Sequence, residues 1–357
     1  MGFRKITQKL IKVVTSVVLA FTLCATGTIV VPATTADYYD PGFCRMGGVF
    51  VNKVGAPIPG AFRRGIDVSY HQGDINWAQV AQNDIQFAFI RAGSFKSGID
   101  SCFYKNIQGA TAVGIQVGIY VYSYASTPEQ ASQEGLFAVS AARNYPVSLP
   151  LVFDIEGSTI ANSSPENLQA MITSFSQVVE AAGYTPMIYS SKNNFVSKMG
   201  NISQDKWVAQ YANALQYSGQ AFWQATSHGY VPGVNGRVDI DFQYKDYSAI
   251  IPANGFKKVG ANTFYMENYI PHKGWLTVGK NRYYMDPLLG VMQTGLVADG
   301  VGIYYCGADG TMQTGIINIG DFQFYFDPAT GAMVTNQVVK IGKKNYLIDQ
   351  VGILHPM

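Results

Sequence analysis

Between residues 62 and 250, short apolar runs alternate with longer stretches in which apolar positions recur at the spacing of a helix. The short runs are rich in Val, Ile, Phe and Tyr, and several are almost unbroken, as in strands buried on both faces of a parallel sheet. They predict eight strands, over 64–69, 87–93, 117–125, 149–156, 186–191, 206–211, 221–227 and 238–244. Five helices are predicted between them, over 76–83, 102–113, 127–144, 165–182 and 192–199.

Capping residues mark the ends of several of these helices. Thr127 and Ser164 are each followed by Pro and Glu, which places a cap residue before a Pro at the first helical position. Gly114 and Gly183 stand where glycines end helices. The alternation of strands and helices predicts an α/β fold, a (β/α) barrel of the TIM type. The last three strands are joined by connections too short for a helix, so we expect an irregular barrel.

After residue 250 the pattern changes to a short repeat. Gly-Val-Met-Gln-Thr-Gly at 290–295 recurs as Gly-Thr-Met-Gln-Thr-Gly at 310–315 and, less closely, at 331–336. Tyrosines recur at intervals of 19 to 21 residues, at Tyr265, Tyr284, Tyr304, Tyr325 and Tyr346. A fixed short period predicts stacked units that cannot bury their apolar faces alone. We therefore expect a solenoid of β-hairpins over residues 256–357.

The N-terminal segment has the pattern of a secretory signal peptide. Four basic residues and no acidic residue precede an apolar stretch over 13–31, and small residues at 34–36 offer a cleavage site after Ala36. The alternative is an uncleaved anchor, because the apolar stretch is long enough to span a bilayer. Residues 1–36 are thus predicted as the signal, and 37–61 as a lead-in without clear periodicity. Contact with a membrane is expected only through the signal.

Charge argues against binding to nucleic acid. The full chain carries a net charge of +2. Removal of residues 1–36 takes away four basic residues and leaves 21 basic against 23 acidic residues, a net charge of −2. A chain without a basic excess has no electrostatic basis for binding to phosphate backbones.

Cysteine and histidine positions indicate no metal site, and we predict no cofactor. Cys44, Cys102 and Cys306 remain after removal of the signal. An odd number in a secreted chain leaves at least one thiol without an intramolecular partner. We favour a disulfide between Cys44 and Cys102, because Cys306 falls in the repeat region; the alternative is three thiols.

Two carboxylates close the fourth predicted strand. Asp154 and Glu156 are two residues apart, so their side chains leave the same face of a strand, with Cα atoms roughly 6.6 Å apart. Carboxyl groups this close perturb each other, so that one can hold a proton near neutral pH while the other is ionised. A glycosidase needs that division of roles. The alternative is a pair of solvated residues where the strand runs into a loop.

Other polar and aromatic residues stand at the ends of the remaining strands, where (β/α) barrels carry their chemistry. In chain order these residues are Asp67, Arg91, Tyr120, Tyr122, Tyr124, Tyr189, Ser190, Gln210, Tyr211, Trp223, Gln224, Asp239 and Asp241. Acids and aromatic residues converging on one rim predict a cleft for a sugar. Each has a simpler interpretation as well: at least one of the three tyrosines near residue 122 is expected in the core, and Arg91 could be a buried ion-pair partner.

Several of these segments together resemble glycoside hydrolase family 25 lysozymes, from about residue 62 to 248. The matching segments are Arg-Gly-Ile-Asp-Val-Ser-Tyr-His-Gln-Gly at 64–73, Phe-Ala-Phe-Ile-Arg-Ala-Gly at 87–93, Val-Gly-Ile-Tyr-Val-Tyr-Ser-Tyr at 117–124, Asp-Ile-Glu at 154–156, Trp-Val-Ala-Gln-Tyr at 207–211, Trp-Gln at 223–224 and Gly-Arg-Val-Asp at 236–239. The resemblance implies a catalytic barrel over 62–250. Together with the signal peptide and the repeats, it predicts a secreted, wall-associated bacterial enzyme. It implies hydrolysis of the β-1,4 bond from N-acetylmuramic acid to N-acetylglucosamine in peptidoglycan.

The resemblance also implies roles for the site residues. Glu156 is expected as the general acid and Asp154 as its stabilising neighbour, while Asp67 and Asp239 complete the acidic set. The residues expected to bind substrate are Arg91, Tyr120, Tyr122, Tyr189, Gln210, Trp223 and Gln224. One departure is Asp241, where the family commonly has Asn; we expect it to face away from the site. The spacing of Asp154 and Glu156 leaves the stereochemistry open, and we favour assistance by the 2-acetamido group of the substrate.

The repeats resemble the choline-binding and glucan-binding repeats of Gram-positive surface proteins. Choline sites are cages of Trp and Tyr. Only Trp275 remains here as a repeat Trp, and Leu296, Ile317 and Val338 stand where others are expected. We therefore expect a wall polysaccharide of unspecified type as the ligand, or else a spacer or dimerisation element. For the whole chain, the alternatives to a muramidase are an inactive wall-binding or adhesion protein and a related glycosidase acting on other N-acetylated glycans.

Overall fold

The computed structural model describes Asp40 and residues 42–357. The predicted signal peptide lies outside these residues. Among the described helices, none is both long and apolar enough to cross a membrane. The described residues form two compact units, one made of residues up to 142 with 149–176 and 186–246, the other of 143–148, 177–185 and 247–357.

The first unit contains a short hairpin, nine sheet strands and six helices among its described residues, with one helix running into the second unit. The strands are β1 (Cys44–Met46), β2 (Val49–Val51), β3 (Arg63–Val68), β4 (Phe87–Ser94), β5 (Gly98–Ile99), β6 (Gln116–Tyr122), β7 (Leu151–Asp154), β8 (Pro186–Ser191), β9 (Asp205–Ala209), β10 (Phe222–Gly229) and β11 (Val238–Gln243). The helices are α1 (Trp77–Ala81), α2 (Phe103–Ala112), α3 (Pro128–Ala142), α4 (Gly157–Ala161), α5 (Pro165–Ala181) and α6 (Lys192–Asn194).

Eight of these strands close into a barrel, as predicted. The order β3-β11-β10-β9-β8-β7-β6-β4 is closed by pairing of β3 with β4, and β5 extends the edge of β4. Seven strands run parallel, whereas β11 is antiparallel to both β10 and β3. The segment 230–237 is too short for a helical crossover, so β10 and β11 can only form a hairpin.

The reversed direction of β11 decides where its acids lie. In an all-parallel barrel, the first residues of a strand lie at the end opposite to the catalytic rim. Because β11 runs the other way, Asp239 near its beginning pairs with Asp67 near the end of β3. The reversal therefore brings Asp239 to the rim.

Aromatic rings fill the barrel interior. Phe89 stacks on Trp207 with ring centroids 4.4 Å apart, and Phe222 packs edge-on against Phe87 and Phe89. All four rings are buried. Glycines make room for them, since a Cβ at Gly65 or Gly118 would lie within 2.5 Å of a ring atom.

We expect Gly65→Ala to destabilise the barrel by about 1–3 kcal/mol, the usual cost of overpacking a core. The added Cβ would lie 2.4 Å from the ring of Phe87, which is held between Phe89 and Phe222. The measurement is the free energy of unfolding in urea. The control is Gly65→Ala combined with Phe87→Leu, whose smaller side chain leaves space for the methyl group. Losses that simply add in the double variant would show that the two side chains do not collide.

Several element boundaries differ from the predictions. Strand β7 ends at Asp154, and Glu156 is the residue that precedes α4, a helix the sequence pattern did not indicate. The predicted helix over 192–199 is α6 followed by a π-helical turn over Phe195–Met199. The lead-in is not structureless: β1 and β2 form a hairpin, from which Phe43 and Phe50 pack on Phe242 on the outer face of β11.

The predicted disulfide between Cys44 and Cys102 is wrong, because the described residues contain none. Cys44 lies close to Arg64, at the beginning of β3. The backbone N–H of Cys102 donates to Asp100, whose other carboxylate oxygen accepts the backbone N–H of Tyr70, just past the end of β3. The two cysteines therefore lie at opposite ends of that strand.

The C-terminal repeat residues form successive antiparallel hairpins. Their strands are β12 (Gly255–Val259), β13 (Asn262–Glu267), β14 (Ile270–Pro271), β15 (Gly274–Val278), β16 (Asn281–Met285), β17 (Gly295–Ala298), β18 (Ile303–Cys306), β19 (Met312–Gln313), β20 (Gly315–Ile319), β21 (Phe322–Phe326), β22 (Gln337–Ile341), β23 (Lys344–Ile348) and β24 (Leu354–Pro356). Single bridges join neighbouring hairpins, such as Met285 to Met292 and Phe326 to Met333.

The hairpin register corrects one repeat position. Trp275 pairs with Tyr284, one residue after the Gly that begins β15. The corresponding residues of the later hairpins are Leu296, Ile316 and Val338, so Ile316 rather than Ile317 replaces the repeat Trp. Ile316, Leu296 and Val338 are all exposed. These later hairpins thus present aliphatic side chains where the β15–β16 hairpin presents an indole ring.

Candidate active site

Four acidic residues meet at one rim of the barrel. Asp67 lies near the end of β3, Asp154 ends β7, and Asp239 lies beside Asp67 on the reversed β11. Glu156 follows β7 by two residues. Charge interactions connect Asp67 with Glu156, Asp154 and Asp239, so the four carboxyl groups form one electrostatic cluster.

Asp154 and Glu156 face the same way although the regular strand ends between them. Ile155 continues the ladder by donating its N–H to the carbonyl of Tyr189, and its own side chain is buried on the opposite face. Glu156 has an extended backbone, with φ −153° and ψ −169°. Gly157 then turns the chain with φ 51°, a region in which glycine is favoured. Strand alternation therefore persists through Glu156 and ends at Gly157.

The two carboxyl groups differ in access. Asp154 is only 4% exposed, and its Oδ1 has no hydrogen-bond donor among the described residues. Glu156 is half-buried and lines an open cleft of about 450 Å³. The cleft is lined by Glu156, Tyr189, Ser191, Lys192, Asn193, Ala209, Gln210 and Tyr211. A ligand in this cleft would touch Glu156 directly, with Asp154 behind it.

Burial raises the pKa of both carboxyl groups. For Asp154, desolvation is the main cause, followed by the charges of Glu156 and Asp67. For Glu156, partial burial raises the pKa and Arg91 opposes the rise. A carboxyl group with a raised pKa beside a cleft has the properties of a general acid near neutral pH.

Arg91 on β4 is the cation whose charge acts on both of these acids. Its guanidinium lies 5.5 Å from the ring centroid of Tyr122 and 5.7 Å from that of Tyr70, within cation–π range. Its Nε has no hydrogen-bond partner in the described part of the chain. The two aromatic rings fix the position of the guanidinium beside the acids.

A directional chain of hydrogen bonds leads from the cleft to Asp67. The hydroxyls of Tyr189 and Tyr211 donate to Gln224 Oε1, at 2.7 and 3.1 Å. Gln224 Nε2 in turn donates to Asp67 Oδ2 at 2.7 Å. Cleft-lining tyrosines are thereby connected to the buried acid through one amide.

No group of three or more His, Cys, Asp or Glu side chains suitable for a metal ion occurs among the described residues. The acidic rim is a cluster of carboxyl groups facing one guanidinium and several hydroxyls. The chemistry that it offers is proton transfer and electrostatic stabilisation.

Comparison with known proteins places this rim in a family. The model of the glycosyl hydrolases family 25 matches residues 66–234. YegX, an uncharacterised protein of Escherichia coli K12, is 31% identical over 196 residues, which cover 52% of this chain and 71% of YegX. The chain belongs to glycosyl hydrolase family 25.

Two further similar proteins are less similar in sequence. Lysozyme M1 of Streptomyces globisporus is 28% identical over 193 residues, covering 49% of this chain and 66% of that protein. The modular autolysin LytC of Streptococcus pneumoniae, solved in complex with a synthetic peptidoglycan ligand, superposes with a TM-score of 0.52 at 24% identity. That match covers 57% of this chain and 52% of LytC, so the chain spans about half the length of the autolysin. The likeness to LytC concerns the fold.

The family 25 match covers Asp67, Asp154 and Glu156 and ends before Asp239. As a member of this family, the protein is a glycoside hydrolase. Of the residues predicted to bind substrate, Tyr189 and Gln210 line the cleft. Tyr122, Arg91 and Gln224 lie around it through the contacts described above. Their role in binding is a prediction.

Tyr120 is half-buried and lies inside the barrel. Its ring packs edge-on against Trp207 in the barrel interior, with centroids 6.1 Å apart. Burial and the charges of Asp67 and Asp154 raise the pKa of its hydroxyl. Tyr120 therefore forms the floor of the acidic rim.

The prediction that Trp223 binds substrate is wrong. Its side chain is 0% exposed and packs against Phe43 and Phe242 on the outer face of the barrel. Its indole N–H donates to the backbone carbonyl of Gln210. Trp223 precedes Gln224, and neighbouring residues of a strand face opposite sides, so only Gln224 can reach the interior. Trp223 holds the lead-in and the Gln210 backbone instead.

The expectation that Asp241 faces away is also wrong. Asp241 is 0% exposed and lies inside the barrel, where the indole N–H of Trp207 donates to its Oδ1 at 2.8 Å. Its charge acts on Asp67, and the two carboxyl groups are in hydrogen-bonding contact. The departure from the family pattern therefore falls within the site.

The sequence patterns missed several cleft residues. Ser191 ends β8, Lys192 and Asn193 follow it, and all three line the cleft beside Glu156. Position after a strand end was the available signal for them. Glu134 on α3 is buried close to Asp154, and its carboxylate accepts the backbone N–H of Tyr124. A Glu in the middle of an amphipathic helix gives no such signal.

Proposed function

We propose that this protein is a secreted peptidoglycan hydrolase that cleaves the β-1,4 bond between N-acetylmuramic acid and N-acetylglucosamine. The observation that carries the proposal is the pair of carboxyl groups at the end of β7. Glu156 faces an open cleft with a raised pKa, and Asp154 is enclosed behind it. The peptidoglycan ligand bound by LytC and the lysozyme activity named for Lysozyme M1 support this substrate class.

Glu156 acts as the general acid. Its carboxyl group donates a proton to the glycosidic oxygen while the bond to C1 of the muramic acid breaks. A sugar in the cleft displaces water from Glu156, which raises the pKa of the carboxyl group further and keeps it protonated until the transfer. Arg91 opposes this rise and favours the ionised form that results from the transfer.

Asp154 acts on the developing positive charge. The 2-acetamido oxygen of the muramic acid attacks C1, and the acetamide nitrogen becomes more acidic as its oxygen is alkylated. Arg91 opposes the rise in the pKa of Asp154 that burial causes, and so does the positive charge that develops on the substrate. The ionised Asp154 accepts the N–H of that nitrogen and stabilises the cyclic intermediate. Water then opens the intermediate with the help of Glu156, now acting as a base, so the configuration at C1 is retained.

Residues around the cleft position the sugar chain. Tyr189 and Tyr211 present aromatic rings to the cleft, and Gln210 presents an amide. Aromatic rings pack on sugar faces, and amides hydrogen-bond to hydroxyl and acetamide groups. We assign binding of the glycan to these residues together with Arg91, Tyr122 and Gln224.

The C-terminal hairpins retain the enzyme on the wall. We assign them to a wall polysaccharide, as a hairpin solenoid similar to choline-binding repeats. Aliphatic Leu296, Ile316 and Val338 in place of Trp argue against choline as the ligand. The signal peptide would export the chain, and the hairpins would keep it at the wall.

The product of digestion tests the proposal. Residues 37–357 should clear a suspension of purified peptidoglycan and create new reducing ends. All of these ends should be muramic acid, which borohydride reduction and hydrolysis convert into its alditol for identification. The role of Glu156 is tested by Glu156→Gln, and its matched control is Glu166→Gln, because Glu166 is an exposed glutamate in the first turn of α5. This variant should clear the suspension at the wild-type rate.

Other outcomes point to other functions. New N-acetylglucosamine reducing ends would overturn the choice of bond. Binding to walls without clearing would indicate an inactive wall-binding protein. Cleavage of chitin-type oligosaccharides in preference to peptidoglycan would indicate a glycosidase for other N-acetylated glycans.

A further inference from the structure

Asp241 is a buried acid for which the proposed mechanism has no use. It lies on β11 inside the barrel, two residues after Asp239, and is not one of the residues that line the cleft. One of its oxygens, Oδ1, accepts the indole N–H of Trp207. The other, Oδ2, is enclosed and has no donor among the described residues. An enclosed carboxylate oxygen without a donor is costly, so its surroundings need an explanation.

The hydrogen-bond directions around Asp67 and Asp241 leave one place for a proton. An indole N–H can only donate, so Asp241 Oδ1 is an acceptor. Tyr189 and Tyr211 donate to Gln224 Oε1, which turns the amide nitrogen of Gln224 towards Asp67 Oδ2. Asp67 Oδ2 is therefore an acceptor as well. One oxygen of each carboxyl group remains, and the two groups are in hydrogen-bonding contact.

We propose that Asp67 and Asp241 share one proton, carried by Asp67 and donated to Asp241 Oδ2. Asp241 is then a positioning residue: it holds Asp67 as a neutral acid and keeps the negative charge of the pair on the lower layer of the barrel, next to Trp207. The arrangement satisfies every oxygen of the two carboxyl groups with one hydrogen bond. Burial raises the pKa of both groups, which agrees with one retained proton.

The location of that charge affects the catalytic acid. The charge of Glu156 acts on Asp67 but is not among the charges that act on Asp241, and an electrostatic interaction is mutual. A negative charge on Asp67 would therefore raise the pKa of Glu156 more than the same charge on Asp241. The charged and titratable groups that interact with Asp67 or Asp241 are Asp239, Glu156, Asp154, Tyr120, Tyr189 and Tyr211.

The variant Asp241→Asn separates this arrangement from a structural role. The amide oxygen of the new side chain can accept from Trp207, and its NH2 group can donate to Asp67. Asp67 then loses its proton and becomes the charged member. The pKa of Glu156 should rise, which moves the alkaline limb of the pH–kcat profile on peptidoglycan upward by roughly one pH unit, the size expected when a unit charge moves a few ångströms at an effective dielectric of about 20.

The complementary variant Asp67→Asn gives the opposite pattern. The amide at position 67 donates to an ionised Asp241, so the charge stays where the proposal places it. Whatever happens to the rate, the alkaline limb should stay at the wild-type pH. If both acids were ionised, Asp67→Asn would remove a charge that acts on Glu156 and would lower the limb. If both were protonated, neither would move it. Either result overturns the proposal, and a purely structural role would change thermal stability without moving the limb.

Infrared spectroscopy detects the protonated carboxyl group directly and needs no measurement of activity. This matters because the pH profiles rest on the proposed function, whereas the spectrum does not. The wild type at neutral pH should show the C=O stretch of a protonated carboxyl group, and Asp67→Asn and Asp241→Asn should each remove that same band. Asp100→Asn is the matched control: Asp100 is 7% exposed, like Asp67, and accepts the backbone N–H of Tyr70 and of Cys102.

The band should persist in Asp100→Asn. Its persistence in Asp67→Asn, or its absence from the wild type, would show that Asp67 carries no proton. If a variant at position 241 does not fold, the wild-type and Asp67→Asn spectra decide the matter alone.

Discussion

Glu156→Gln should lower kcat on peptidoglycan by about 10²–10⁴-fold, the contribution expected from a general acid. Glutamine has the same shape and can still hydrogen-bond to the glycosidic oxygen, but it has no proton to give. Binding to the insoluble wall should persist, because the cleft lining is otherwise unchanged. The measurement is the rate of release of reducing ends from soluble glycan chains at saturating concentration.

Comparison with Glu166→Gln shows whether the loss of kcat is specific to position 156. Both changes replace one glutamate by glutamine, but Glu166 is exposed on a helix and outside the cleft lining. The pH profile adds a second criterion. Wild-type kcat should fall on the alkaline side at a pH above the usual range of a glutamate, because burial raises the pKa of Glu156. Residual activity of Glu156→Gln should lack that limb; retained full activity would remove Glu156 from the mechanism.

Asp154→Asn should lower kcat by about 10²–10³-fold, the cost of losing one preorganised electrostatic group. The amide preserves the shape of the enclosed side chain, but it cannot stabilise the positive charge on the acetamide nitrogen. The most informative substrate is a defined tetrasaccharide in which the muramic acid at the cleaved bond lacks its N-acetyl group. The wild type should cleave that substrate with a loss of similar size.

The losses of kcat caused by Asp154→Asn and by deacetylation of the muramic acid should not add. If Asp154 acts through the acetamide, deacetylation removes the group that it serves, so the variant should lose little more on the deacetylated substrate. Deacetylation of the neighbouring N-acetylglucosamine is the control and should leave this coupling unchanged. Fully additive losses would mean that Asp154 acts independently of the acetamide. Net inversion at C1, read from the first product anomer by NMR, would exclude the substrate-assisted route.

Much of the barrel could be predicted because its strands are apolar runs between polar helices. Strand β8 was predicted over its full extent, since the run 186–191 is bounded by a turn and by a capping Ser191. The direction of β11 could not be predicted, because alternation of apolar and polar residues is the same in both directions. Only the short connection after β10 hinted at a hairpin.

The alternation of side chains between the two faces of a strand already determines the direction of Asp241 and of Trp223. Asp239 and Asp241 are two residues apart, so an inward Asp239 requires an inward Asp241. By the same rule, Trp223 and Gln224 cannot both face the cleft. The shared contact of Asp241 with Asp67 and Trp207, in contrast, depends on the register of three strands. That register is set by the closure of the barrel, which no local pattern records.

The enclosed acids lower the stability of the folded protein at neutral pH, although catalysis requires some of them. An acid with a pKa raised by folding stabilises the native state only below its unfolded pKa, near 4, and this contribution is lost as the pH rises towards the raised value. At neutral pH, Asp67, Asp154, Asp239 and Asp241 therefore oppose folding, and an amide at any of them relieves part of that strain. A screen for heat-resistant variants would accumulate substitutions in the catalytic rim first. Engineering of a durable glycoside hydrolase from this chain has to exclude these four positions from selection.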